Sequence, residues 1–65
     1  MTEHVKRNIT PTTFYMELSG DSSETATAPT ANIADGSIFV ETDTGTVYFF
    51  NAESSAWVEQ FSFQG

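Results

Sequence analysis

The sequence predicts an all-β fold. Short runs of β-branched and aromatic residues alternate with turn residues, several of these runs show a period of two, and no stretch carries a capped helical stripe of apolar residues. We expect a small three-stranded antiparallel meander over residues 37–65. Residues 1–36 are expected to form an N-terminal arm with one strand and a long irregular connection, the whole being completed by oligomerisation.

The first predicted element is a strand over residues 12–18, "TTFYMEL". Phe14, Met16 and Leu18 fall on one face, and the two residues between them fall on the other. Alternation of this kind, with threonine and aromatic content, is typical of a half-buried strand.

Residues 19–36, "SGDSSETATAPTANIADG", form the connection. The segment is polar, rich in Thr and Ala, and shows neither helical nor strand periodicity. Irregular connections of this length are uncommon in compact domains. Composition favours a flexible linker, while Pro29 and Ile33 would permit an extended segment docked on a neighbouring surface.

The meander is predicted from three runs, "SIFVET", "TVYFFN" and "AWVEQFSF". Asp43-Thr44-Gly45 separates the first two, and the polar tip "AESS" separates the last two. A three-residue hairpin loop takes Gly45 in the left-handed region at little cost. The expected register pairs Thr42 with Thr46, Val40 with Tyr48, Ile38 with Phe50, Glu41 with Val47 and Phe39 with Phe49.

Aspartic proteases carry the same Asp-Thr-Gly tripeptide, but the surrounding residues argue against that chemistry here. A catalytic aspartate pair needs a shielded environment in which two carboxylates share one proton. Here Glu41 and Thr42 precede the tripeptide, and no glycine-bearing flap is present. The acids lack calcium-loop spacing, and a lone His4 without cysteine cannot form a zinc site. We expect a structural turn, no enzyme activity and no cofactor.

The charge distribution excludes several partners. The formal net charge is −7, and the only basic residues are Lys6 and Arg7, beside His4. Such a surface repels phosphates, which argues against nucleic-acid and anionic-membrane binding. No apolar run of about 18 residues and no signal-peptide pattern occurs, so we expect a protein made and used without export. The basic start is either a solvated terminus or a contact for an acidic partner.

The expected register leaves both faces of the meander largely apolar. Either the long connection folds back over one of them, or an exposed patch marks an association site. Aromatic side chains are the usual anchors of such interfaces. The candidate interface residues are Phe39, Val47, Phe49, Phe50, Trp57, Val58, Phe61 and Phe63.

The stretch "DGSIFVETDTGTVYFFNAESSAWVEQ" resembles a pattern found in small bacteriophage structural proteins and in modules of phage fibres. It covers residues 35–60. The matching positions are Gly36-Ser37, Phe39, Glu41, Asp43-Thr44-Gly45, Tyr48, Phe50 and Trp57-Val58-Glu59. The resemblance implies a homo-oligomer, with a trimer favoured.

The resemblance also implies a location in the virion, after synthesis in the host cytoplasm. We expect a non-enzymatic structural protein attached to the capsid as a decoration or head-fibre component. One alternative is a tail-associated or fibre-base module, and another is an acidic intracellular effector that binds a host protein. The expected attachment arm comprises His4, Lys6, Arg7, Phe14, Met16 and Leu18.

Overall fold

Five strands form one mixed β-sheet in a computed structural model that describes residues 1–63. The strands are β1 Thr2–Thr10, β2 Thr13–Gly20, β3 Ile38–Glu41, β4 Thr46–Asn51 and β5 Ala56–Ser62, and they lie side by side in chain order. A short 3₁₀ turn spans Thr25–Thr27. The pair β2–β3 is parallel, and the other three pairs are antiparallel. The predicted all-β fold is confirmed, and so is its C-terminal meander.

Residues 1–63 contain no helix with the length and hydrophobicity needed to cross a bilayer.

The N-terminal region contains the predicted strand as β2 and one more strand, β1, that was not predicted. β1 forms a hairpin with β2, and all of its residues are exposed except the half-buried Val5. An edge strand is held by backbone hydrogen bonds along one side, so it needs no alternation of apolar residues. Exposed charges such as Lys6 and Arg7 also keep an edge from pairing with other chains.

β2 has the predicted alternation. Met16 and Leu18 are buried, and the half-buried Phe14 packs against the same core. This burial removes both Met16 and Leu18 from the predicted attachment arm, because neither side chain can reach another protein.

The β3–β4 hairpin differs from the predicted register by one residue. The observed pairs are Ile38 with Phe49, Phe39 with Tyr48 and Val40 with Val47. The N–H of Thr42 donates to the Gly20 carbonyl oxygen at 2.8 Å, so this N–H bonds to β2 and is not available to pair with β4. The hairpin therefore closes earlier, with the N–H of Gly45 donating to the Glu41 carbonyl oxygen at 2.8 Å.

The loop is thus residues 42–45, and Gly45 has the expected left-handed backbone, with a φ of 74°. A slip of one residue changes which side chains of two strands share a face.

The connection between β2 and β3 folds over one face of its own sheet. Ala28 and Ile33 are 6 % and 7 % exposed, and they join the core formed by Met16, Leu18, Phe39 and Phe50. Asn32 and Ala34 bond to the backbone of Phe14 on either side of Ile33. The linker prediction was wrong because this segment supplies single buried residues between turns, and such residues produce no periodicity.

Ser37 forms hydrogen bonds through its side chain at the junction between the connection and β3. Its side chain is fully buried, and its Oγ accepts a hydrogen bond from the Met16 N–H at 3.1 Å. The same hydroxyl donates to the Ala34 carbonyl oxygen at 2.8 Å. Between the Ile33 bridge and the first β2–β3 pair, the Ser37 hydroxyl therefore takes the place of a backbone carbonyl as the hydrogen-bond partner of β2.

We expect Ser37→Ala to lower the free energy of unfolding by about 1–3 kcal/mol, because a buried N–H loses its acceptor. Urea denaturation measures this loss, with Ser54→Ala as the control because Ser54 is exposed at the tip between β4 and β5. Equal stability of the two variants would show that Ser37 is replaceable at this junction.

Candidate functional site

One face of the sheet remains apolar and uncovered by the connection. Paired residues share a face, so the observed register groups side chains of β3, β4 and β5 opposite the core. We define the open face as Ile38, Val40, Val47, Phe49, Val58 and Phe61. Phe49, Val58 and Phe61 are 39 %, 42 % and 48 % exposed.

The open face continues beyond the end of β5. The Phe63 ring is 73 % exposed and meets the Phe61 ring edge to face, with 5.3 Å between the centroids. The Phe63 N–H donates to the Gly45 carbonyl oxygen at 2.9 Å, which fixes this end of the chain against the β3–β4 loop.

The predicted interface residues divide between the two faces. Phe49, Val58, Phe61 and Phe63 are exposed, and Val47 lies within the open face at 5 % exposure.

Phe39 and Phe50 lie in the core instead. Trp57 packs edge to face on both of these rings, and its Nε1 donates to the Pro29 carbonyl oxygen at 3.0 Å. The burial of Phe39 and Phe50 contradicts their prediction as interface residues, whereas Trp57 is half-buried. Ile38 and Val40 were missed because the predicted register exchanged the partners across β3 and β4.

The open face carries little net charge although the chain carries −7. Among its nine acidic residues only Glu17 projects from this side of the sheet, where Arg7 lies on the neighbouring strand. The Tyr15 hydroxyl donates to Glu17 Oε2 at 2.7 Å, and this bond, together with burial and the negative charge of Glu17, raises the pKa of Tyr15. The remaining acids lie on the covered face, the connection and the loops.

The basic residues of the predicted arm lie on the exposed edge strand β1. His4 Nε2 is 2.7 Å from Ser19 Oγ, and Lys6 Nζ lies 4.5 Å from the centroid of the Phe14 ring. The charged groups are therefore presented by a strand of the sheet rather than by a free arm.

The Asp43-Thr44-Gly45 turn holds the start of the connection. Asp43 Oδ1 accepts the Ser22 N–H at 2.9 Å, and Oδ2 accepts the Ser22 hydroxyl at 2.7 Å. These bonds from Ser22 lower the pKa of Asp43. Asp43 therefore links the β3–β4 turn to the start of the connection. Among residues 1–63, no second aspartate bonds to Asp43.

A second candidate site lies on the covered face, around Glu41. This side chain is only 5 % exposed, and its carboxylate accepts the hydroxyls of Thr25 and, at 2.7 Å, of Thr44. These two hydrogen bonds lower the pKa of Glu41, with a smaller contribution from the Tyr48 hydroxyl, although burial acts in the opposite direction. Glu41 is therefore ionised at neutral pH.

Glu41 lines a cleft of about 470 Å³ between the connection and the β4–β5 hairpin. We call it the Glu41 cleft. Its principal lining residues are Ser22, Thr25, Thr30, Glu41, Tyr48 and Trp57. Burial and the neighbouring Glu41 raise the pKa of Tyr48, so the phenol keeps its proton at neutral pH.

In the described part of the chain, no three His, Cys, Asp or Glu side chains are grouped as a metal site requires. Comparison of the chain with protein-family models, curated proteins and solved structures finds no match.

Acid is expected to destabilise the fold. Glu41, Glu24 and Asp43 have lowered pKa values in the folded state, so their contribution is complete above the unfolded-state values and is lost as pH falls through the folded ones. Urea denaturation between about pH 7 and pH 3 should show a decreasing free energy of unfolding.

The Glu41→Gln variant should show a shallower decrease, whereas the exposed Glu53→Gln should follow the parent protein. A flat profile for the parent protein would mean that these carboxylates interact as strongly in the unfolded chain.

Proposed function

We propose that this chain is a non-enzymatic structural protein of a bacteriophage virion, attached to the capsid as a decoration or head-fibre component. It assembles there by packing its open face against the open faces of other copies. The observation that carries the proposal is the open face itself, an apolar surface on one side of a single-layer sheet whose other side is already covered.

The exposed aromatic side chains support association, because burying them removes apolar surface from water. A sheet with both faces apolar normally packs a second layer on each. The connection supplies one layer, and a partner supplies the other. Rings such as Phe49 and Phe61 give the large contact area typical of interface anchors.

The charge distribution favours another copy of the chain as that partner. Chains carrying −7 each repel one another through most of their surface, but the open face has only Glu17 beside Arg7. A basic partner would instead be attracted to the acidic loops and the covered face. Self-association through the open face therefore brings together the surfaces with the least repulsion.

The dimensions of the molecule set an upper limit on the size of the interface. The molecule measures 37 × 22 × 17 Å, and five strands of up to nine residues account for the two longer dimensions. A whole sheet face with those edges spans about 800 Å², which is the area each partner buries in a standard interface; the open face occupies only β3, β4 and β5 and is smaller. Three copies with these faces turned inward form a closed trimer.

The assignment to a virion rests on the resemblance of residues 35–60 to phage structural proteins and fibre modules. Attachment to the capsid is assigned to β1, where His4, Lys6 and Arg7 present the basic charge of the chain to an acidic surface. The alternatives are a tail-associated or fibre-base module, and an acidic effector of the host cytoplasm.

We expect the purified protein to sediment as an oligomer, and Phe49→Lys to weaken its self-association by at least about tenfold. Phe49 is 39 % exposed, so a lysine at this position remains compatible with the fold. Ile9→Lys is the matched control, because Ile9 is an exposed apolar residue at the end of β1. A parent protein that remains monomeric at high micromolar concentration would refute association through this face.

Labelled protein is expected on the heads of intact particles in electron micrographs, in a fixed copy number. The double variant Lys6→Gln/Arg7→Gln should bind to particles less tightly, and added salt should reduce binding of the parent protein in the same direction. Label on tails would favour the fibre-base alternative. A protein absent from particles and soluble early in infection would favour the effector.

A further inference from the structure

Glu41 is a buried, ionised carboxylate without a cation beside it. Within residues 1–63 the single ion pair joins the Met1 ammonium group to Glu24 Oε2, at 2.5 Å. Buried charges in proteins are normally paired, because the loss of hydration is otherwise uncompensated. Hydroxyl groups satisfy the hydrogen bonding of Glu41, but they leave its charge unneutralised.

Neither Lys6 nor Arg7 can supply the missing charge. Lys6 lies across from Met16, four residues from Gly20, which is the β2 partner of Glu41. Four residues of strand correspond to about 13 Å, and Lys6 is held over the Phe14 ring. Arg7 pairs with Tyr15, on the opposite face of the sheet. The Met1 ammonium group is bonded to Glu24, and His4 is bonded to Ser19. A cation that pairs with Glu41 would therefore come from outside the described residues.

The walls of the Glu41 cleft suit an organic cation. Tyr48 and Trp57 provide aromatic surface, which attracts ammonium groups through the ring quadrupole. Asp43 adds negative charge near Glu41, and Glu59 adds negative charge near Tyr48. The cleft, of about 470 Å³, is open to solvent, so a small cation can enter it.

A metal ion is a poor fit for the same cleft. Hard cations such as calcium take six or more oxygen ligands, several of them carboxylates. Glu41 is the one carboxylate that lines the cleft, and the rest of its lining is aromatic, methyl and hydroxyl groups.

We propose that the Glu41 cleft binds an alkylammonium group, with Glu41 as its counter-ion and Tyr48 and Trp57 as its aromatic walls. The same chemistry is offered by a free primary amine and by the side chain of a lysine on another protein. This site lies on the face opposite the open face, so it is independent of self-association.

Trp57 allows a direct test, because it is the single tryptophan of the chain. We expect n-butylammonium to change Trp57 fluorescence and the indole N–H resonance saturably, whereas n-butanol and butyrate at the same concentrations leave both signals unchanged. A second arm compares a blocked Gly-Lys-Gly peptide with its norleucine analogue. Response to the lysine peptide identifies a protein side chain as a ligand, and response to butylammonium alone identifies a free amine.

The Glu41→Gln variant should bind butylammonium at least about tenfold more weakly than the parent protein. Glu53→Gln, at the exposed β4–β5 tip, should bind it with unchanged affinity. Far-UV circular dichroism checks that both variants are folded.

The comparison of butylammonium with butanol needs no variant and decides the proposal even if Glu41→Gln unfolds. Equal responses to the two compounds, no saturable response to either ammonium ligand, or undiminished binding by a folded Glu41→Gln would each overturn it.

Discussion

The parallel pairing of β2 with β3 determines how the rest of the molecule is arranged. Antiparallel neighbours can be joined by a tight turn, but parallel neighbours require the chain to return along the length of the sheet. Here residues 21–37 make that return, and they do so across one face. That single crossing buries Phe39 and Phe50 and creates the Glu41 cleft. Because it covers only one side, it also leaves the opposite face open.

Polar side chains hold this crossing in place together with two apolar ones. The connection contributes only Ala28 and Ile33 to the core, so burial alone gives it few contacts. Asp43 and Glu41 accept hydrogen bonds from Ser22 and Thr25 in its first part, and at its end Ser37 accepts the Met16 N–H of β2. Glu41 and Asp43 belong to β3 and its turn and accept from the connection, whereas the Ser37 hydroxyl donates to the Ala34 carbonyl oxygen within the connection.

The sequence predicts the elements whose apolar residues alternate, and it fails where structure is set by distant partners. β2 and the meander can be predicted from the sequence because one of their faces is buried. β1 cannot be predicted in this way, since an exposed edge strand has no alternation of apolar and polar residues. The hairpin register depends on a bond from Thr42 to Gly20, which are far apart in the chain. The Glu41 cleft had one visible signal, a glutamate two residues after the buried Phe39 and hence on the core side of the strand.

The β2–β3 junction also bears on the order in which the sheet assembles. Hairpin β1–β2 and the β3–β5 meander are each built from neighbours in sequence, and such local contacts form quickly. Joining them requires closure of the long connection and the insertion of Ser37 and Ile33 beside β2. We therefore expect the two halves to form early and to dock late, with docking as the slow step. Substitutions at the junction should consequently slow folding, whereas substitutions that affect contacts made only after docking should mainly accelerate unfolding.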